Sequence, residues 1–102
     1  MEYNVRIYLN EKNGNVYAYS TEIFGKDIMD VSKIVEKHVS NFKKTTKFNV
    51  GIYVEDKLVA GYTSITRDWF FNNDDEWVLL RRWIPPLSNT MTTKGMVKWN
   101  TN

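Results

Sequence analysis

The sequence predicts an α+β fold: an antiparallel sheet of four to five strands with one helix packed on one face, in the order ββαββ(β). Three observations carry this. Residues 3–9 and 48–54 alternate apolar and polar side chains with a period of two, as half-buried strands do. Between them Ile28, Val31, Ile34, Val35, Val39 and Phe42 fall at helical spacing. A last apolar run is stopped by Pro85-Pro86, which can neither continue a strand nor donate to one.

In the first hairpin Tyr3, Val5, Ile7 and Leu9 form one face, and Asn4, Arg6, Tyr8 and Asn10 the other. Asn13-Gly14 is the strongest short signal for a two-residue type I′ turn, and the return strand covers residues 16–24. With Asn13-Gly14 central, Leu9 faces Ala18 and Tyr8 faces Tyr19. Tyr8, Tyr17 and Tyr19 then share one face with Arg6, and a one-residue slip would move all three tyrosines across the sheet.

Gly25-Lys26 breaks that strand, and Asp27 is placed to cap a helix over residues 28–44. Lys33, Glu36, Lys37, Ser40 and Lys43 cover the side opposite the apolar stripe. Asp27 and Asp30 at the start, with Lys43, Lys44 and Lys47 at the end, suit the helix dipole.

In the second hairpin Phe48, Val50, Ile52 and Val54 alternate up to Glu55-Asp56-Lys57, and residues 58–66 return. With Asp56-Lys57 central, Phe48 faces Ile65 and Val54 faces Val59. Gly51 lies opposite Tyr62 and Gly61 opposite Ile52, a pairing that lays rings over bare backbone. Residues 67–76, where Trp69-Phe70-Phe71 precedes Asn72-Asn73-Asp74-Asp75-Glu76, read as a loop, and residues 77–84 as a fifth strand. Residues 1–86 make a single domain. Residues 87–102 are a polar C-terminal segment, either a short edge strand near 95–99 or a flexible tail.

Composition narrows the function. The chain of 102 residues is 42% hydrophobic and 25% charged, as ordinary globular domains are. Its aromatic share of 15% exceeds what a minimal core of this size needs, so some rings reach the surface. One helix covers one face of such a sheet, and the other face is left to expose tyrosine and tryptophan. There is no cysteine, which removes thiolate catalysis and Cys-based metal sites and predicts a cytoplasmic protein. The first residues carry neither the basic nor the apolar region of a secretory signal, and no run approaches the roughly 20 apolar residues of a membrane span. The net charge of +2 permits an anionic partner without demanding one.

Signs of catalysis are few. His38, the only histidine, lies beside the apolar stripe of the helix, where it reads as a boundary residue. There is no phosphate-binding glycine loop, no nucleophile elbow and no metal-spaced histidine pair. Asp68, Asp74, Asp75 and Glu76 lack the spacing and central glycine of a calcium loop. The sequence therefore predicts a non-enzymatic binding protein with no cofactor, no metal and no catalytic residue, and a protein as its partner.

Trp69, Phe71, Arg81, Arg82 and Trp83 are the expected protein-binding residues, because interface hot spots favour Trp and Arg in aromatic patches. The alternative is single-stranded nucleic-acid binding by an aromatic and basic sheet face, using Arg6, Tyr8, Tyr17, Tyr19, Lys43 and Lys44. A small metal-dependent enzyme is a second alternative, and an exposed edge strand could pair two copies into a homodimer.

In compact size, asparagine-rich composition, lack of cysteine and absent catalytic signature, the chain resembles the small accessory proteins of bacteriophages and mobile elements. The resemblance implies a protein that binds and blocks a host or defence protein, an inhibitor of the anti-CRISPR kind. It carries over no residues.

Overall fold

In the computed structural model, which describes residues 1–11, 14–40 and 47–85, the chain runs β1 (Glu2–Glu11), β2 (Gly14–Phe24), α1 (Ile28–Val39), β3 (Phe48–Val54), β4 (Lys57–Thr63), β5 (Asp68–Asn73) and β6 (Glu76–Arg82). The strands form one antiparallel sheet in the order β2-β1-β3-β4-β5-β6. It is three hairpins side by side, with α1 bridging the first and second.

The sheet has six strands, not the four to five expected. The addition is β5, the segment read as a loop. Trp69-Phe70-Phe71 has the aromatic character of a strand, and Asp74 and Asp75 adopt left-handed φ values of 52° and 66°, the backbone of a two-residue type I′ turn. Glu55 and Asp56, with φ of 51° and 64°, make the equivalent turn between β3 and β4, one residue earlier than expected.

Each hairpin carries an extra residue in its return strand. Ile7 pairs with Tyr19 but Tyr8 with Tyr17, so Ala18 is unopposed. Val59 and Leu80 are skipped in the same way on β4 and β6. A bulge breaks the two-residue alternation and swaps the faces on either side of it. Val59 and Leu80 are thereby turned against the core.

The registers expected from sequence are corrected accordingly. Leu9 pairs with Val16, Val54 with Lys57 and Ile52 with Ala60. Gly51 stands opposite Gly61, not opposite Tyr62.

One face of the sheet packs on α1. Tyr3, Val5, Ile7, Ile23, Val50, Ile52, Ala60, Tyr62 and Trp69 are buried there with Val31, Val35 and Val39 of the helix. The helix starts where the sequence says: Asp27 Oδ1 accepts from the Asp30 amide at 2.9 Å, satisfying one of the first-turn donors. Its described part ends at Val39. The expected continuation to residue 44, with Lys43 and Lys44, lies outside the described residues, as do residues 87–102 and the edge strand expected near 95–99.

A polar network ties helix to sheet beside the core. Glu36 Oε2 accepts from Trp69 Nε1 at 2.8 Å and meets Arg81 Nη2 at 2.7 Å. Arg81 also donates to Ser32 Oγ at 3.0 Å, and Ser32 donates in turn to the Met29 carbonyl at 2.8 Å. A buried carboxylate is tolerable when it is paired and hydrogen-bonded in this way. Among the described residues no helix is long and apolar enough to cross a membrane.

Candidate functional site

The face opposite α1 is bare of helix among the described residues. Cross-strand partners share a face, so the pairs Asn4–Tyr53, Arg6–Gly51, Tyr8–Asn49, Gly61–Phe70, Phe70–Leu79 and Asn72–Trp77 all belong to it. Its centre is hollow because Gly51 and Gly61, directly opposite each other, present no side chain. The result is a trough of about 410 Å³, walled by Tyr8 and Tyr53 on one side and by Phe70, Trp77 and Leu58 on the other.

The glycine floor has a packing reason. A Cβ at Gly51 would lie 2.8 Å from Tyr53 Cε1 and 3.2 Å from Leu58 Cδ1, so the Tyr53 ring rests over bare backbone. The expected covering of a glycine by a ring is present, with Tyr53 in the role given to Tyr62. Asn49, in the trough wall, donates to Asn15 Oδ1 at 2.8 Å, while its own Oδ1 is buried with no hydrogen-bond partner.

Tyr8 is shared with a second, more polar groove, and Tyr53 touches both Tyr8 and Arg6 of that groove's lining. The Tyr53 hydroxyl lies 3.2 Å from that of Tyr8, and this hydrogen bond first, burial second, holds it above the usual phenol range. The Arg6 guanidinium sits 3.8 Å from the Tyr53 ring centroid, a cation–π contact. Arg6 is fastened further by Asn4 Oδ1 at 2.7 Å and Asp56 Oδ1 at 3.0 Å. Asn4, Arg6, Tyr8, Tyr17, Ser20, Glu22, Glu55 and Asp56 line this groove of about 680 Å³.

The expected protein-binding residues divide between the layers. Trp69 is 0% exposed and is core, its ring 5.2 Å from that of Tyr62 and tilted 44° to it. Phe71 and Trp83 are partly buried on the helix face; Trp83 meets Tyr62 edge-on at 5.7 Å, and its carbonyl accepts from the Tyr62 hydroxyl at 2.9 Å. Arg81 belongs to the Glu36 network. Arg82 alone reaches the open face, where Asp68 holds it at 3.4 Å.

The expected nucleic-acid residues divide as well. Arg6, Tyr8 and Tyr17 meet on the open face, Tyr8 and Tyr17 edge-on at 6.0 Å. Tyr19 does not join them: the Ala18 bulge pairs it with Ile7 and turns it to the helix face. Lys43 and Lys44 lie outside the described residues. All the arginines singled out from the sequence, Arg6, Arg81 and Arg82, are matched to carboxylates.

The residues that the sequence reading did not bring together are Gly51, Gly61, Leu58, Phe70, Trp77 and Leu79. The signal was the Asn73-Asp74-Asp75-Glu76 stretch taken as a turn, which pairs Phe70 with Leu79 and Asn72 with Trp77 at once. Among the described residues no group of three His, Asp or Glu side chains could hold a metal ion. No family model matches the chain, and no curated protein or solved structure matches it.

Proposed function

We propose that this chain is a non-enzymatic binding protein that docks its open sheet face onto a larger protein and acts by occluding it. The observation that carries this reading is exposure. Trp77 at 47% and Leu58 at 38% wall the glycine-floored trough, and Tyr17 and Leu79, both 55% exposed, stand elsewhere on the same face, which α1 does not cover. Aromatic anchors about a concave, apolar centre with a polar rim are the anatomy of a protein interface. The compositional resemblance to phage and mobile-element accessory proteins favours a blocking role within that reading.

Single-stranded nucleic acid is the weaker reading. Base stacking needs a cationic track beside the rings. Here Arg6 and Arg82 are spent on Asp56 and Asp68, and Glu22, Glu55 and Asp56 line the groove that holds Tyr8 and Tyr17.

The test is comparative capture. The immobilised chain, its Leu58→Asp/Trp77→Ala variant and a Tyr19→Ala control are exposed to a bacterial lysate, and the retained proteins are compared. A protein held by the parent and by Tyr19→Ala, but not by the open-face variant, is the expected result. A partner retained equally by all of them would remove the open face from the function, and salt-sensitive quenching of Trp fluorescence by single-stranded oligonucleotides would replace the reading.

A further inference from the structure

We infer that the open face takes a cationic ligand: an apolar protein segment that bears lysine or arginine, with its positive charges laid at the hairpin end of the trough. This rests on the docking reading above and adds the chemistry of the partner.

Charge is unevenly placed along this face. The pairs Glu2–Phe24, Val54–Lys57 and Asn73–Glu76 mark one end of the sheet. At that end Glu22, Glu55, Asp56, Asp74, Asp75 and Glu76 are all exposed. Exposed Lys26 and Lys57 stand there too, and half-buried Arg6 pairs with Asp56 at 3.0 Å. Glu22, Glu55 and Asp56 line the polar groove, and Glu76 directly precedes Trp77 of the trough wall. The apolar trough therefore opens onto an acidic lip at one end, while toward the other Lys47, Arg67 and Arg82 stand with Glu11 and Asp68.

Two details sharpen this. Type I′ turns favour Asn-Gly, yet both turns at this end carry acids in left-handed backbone. Asp74, Asp75 and Glu76 of the second turn enter no ion pair among the described residues. A segment with an apolar side chain for the trough and cations for the lip complements all of it. A phosphate backbone complements none of it, because like-charge juxtaposition is costly at an interface.

The test is selection of a displayed random dodecapeptide library on the immobilised full chain at low salt, followed by titration of synthetic enriched peptides. The expected pool is rich in Lys and Arg beside Leu or aromatic residues. Its peptides should lose binding to Trp77→Ala and bind about tenfold more weakly to Asp74→Asn/Asp75→Asn/Glu76→Gln, with affinity falling as salt is added. Urea denaturation confirms that each variant is folded. Enriched peptides that need Trp77 but are neutral or acidic, or that ignore the triple variant, overturn the cationic inference and leave the docking face standing. A pool indifferent to Trp77 and Leu58, or no enrichment at all, overturns both.

Discussion

Trp69 Nε1 donates a 2.8 Å hydrogen bond to Glu36 Oε2, joining the middle of the helix to the fifth strand across the core. Arg81 reaches the same oxygen at 2.7 Å from the sixth strand. Together they fasten the third hairpin to the helix, which otherwise packs over strands nearer the chain's start. Removing one partner of a buried ion pair leaves the other charge unpaired and costs about 3 kcal/mol or more. Glu36→Ala should therefore lower the urea midpoint by far more than a surface change does. Glu36→Leu/Arg81→Met should cost less than the sum of its single changes, since neither charge is then stranded. Additive single effects would show that the pair is not coupled.

The helix start, the first and third strands and the strand end before Pro85 follow from periodicity and capping, and these were legible because each depends on local residues. The faces of the return strands were not. Ala18, Val59 and Leu80 each break the alternation, and nothing local distinguishes a bulged alanine or valine from a regular one. Tyr19 was lost to the wrong face for that reason. Trp69 was misplaced for another: an aromatic run beside five polar residues reads as a surface loop until the Asp74-Asp75 turn pairs it with the sixth strand. The open trough depends on Gly51 meeting Gly61, a register that only the displaced turn and the Val59 bulge produce.

The tryptophans should separate cleanly by stability. Trp69 is fully buried, and Trp69→Ala removes a large side chain that its neighbours cannot replace, at a cost of about 3–5 kcal/mol. Trp77 is 47% exposed, so Trp77→Ala should change stability by less than about 1 kcal/mol. Chemical denaturation of both variants checks this. Equal losses would mean that Trp77 is a core residue and that the open face is not free to dock.

Tyr62 gives the chain an alkaline limit. Burial first of all pushes its phenol up to about 12 from the ordinary 10.0. The folded chain thus favours the neutral ring: the stabilisation is complete below pH 10, and is lost as pH rises through about 12. Tyr62→Phe should cost about 1 kcal/mol at neutral pH, through the lost hydrogen bond to the Trp83 carbonyl. It should also flatten the decline between pH 10 and 12. Parallel pH profiles for the parent and Tyr62→Phe would assign the decline to other groups.

Gly51→Ala tests the trough without disturbing the core. The added methyl meets Tyr53 Cε1 at 2.8 Å and Leu58 Cδ1 at 3.2 Å, so the half-buried ring must swing away from Tyr8 and Arg6, at a cost of about 1–2 kcal/mol. The ring then leaves its place 3.8 Å beneath the Arg6 guanidinium, and the floor of the trough fills. A partner protein captured through this face should be lost while the variant stays folded and its denaturation midpoint falls only modestly. Retention of the partner by folded Gly51→Ala would place its footprint elsewhere on the sheet.

The acidic turns should show a trade between stability and binding. Asp75 holds a φ of 66° at the second turn position, where glycine has no side-chain penalty. Asp75→Gly should stabilise the fold by about 0.5–1 kcal/mol, as glycine commonly does at such a type I′ position. The same change removes one charge from the acidic lip, so a cationic partner should bind more weakly and with a shallower salt dependence. Asp75→Asn keeps a residue tolerant of left-handed backbone and should weaken binding equally with little gain in stability. If Asp75→Gly raised stability and left binding and its salt dependence unchanged, the acids at this end would be turn residues only.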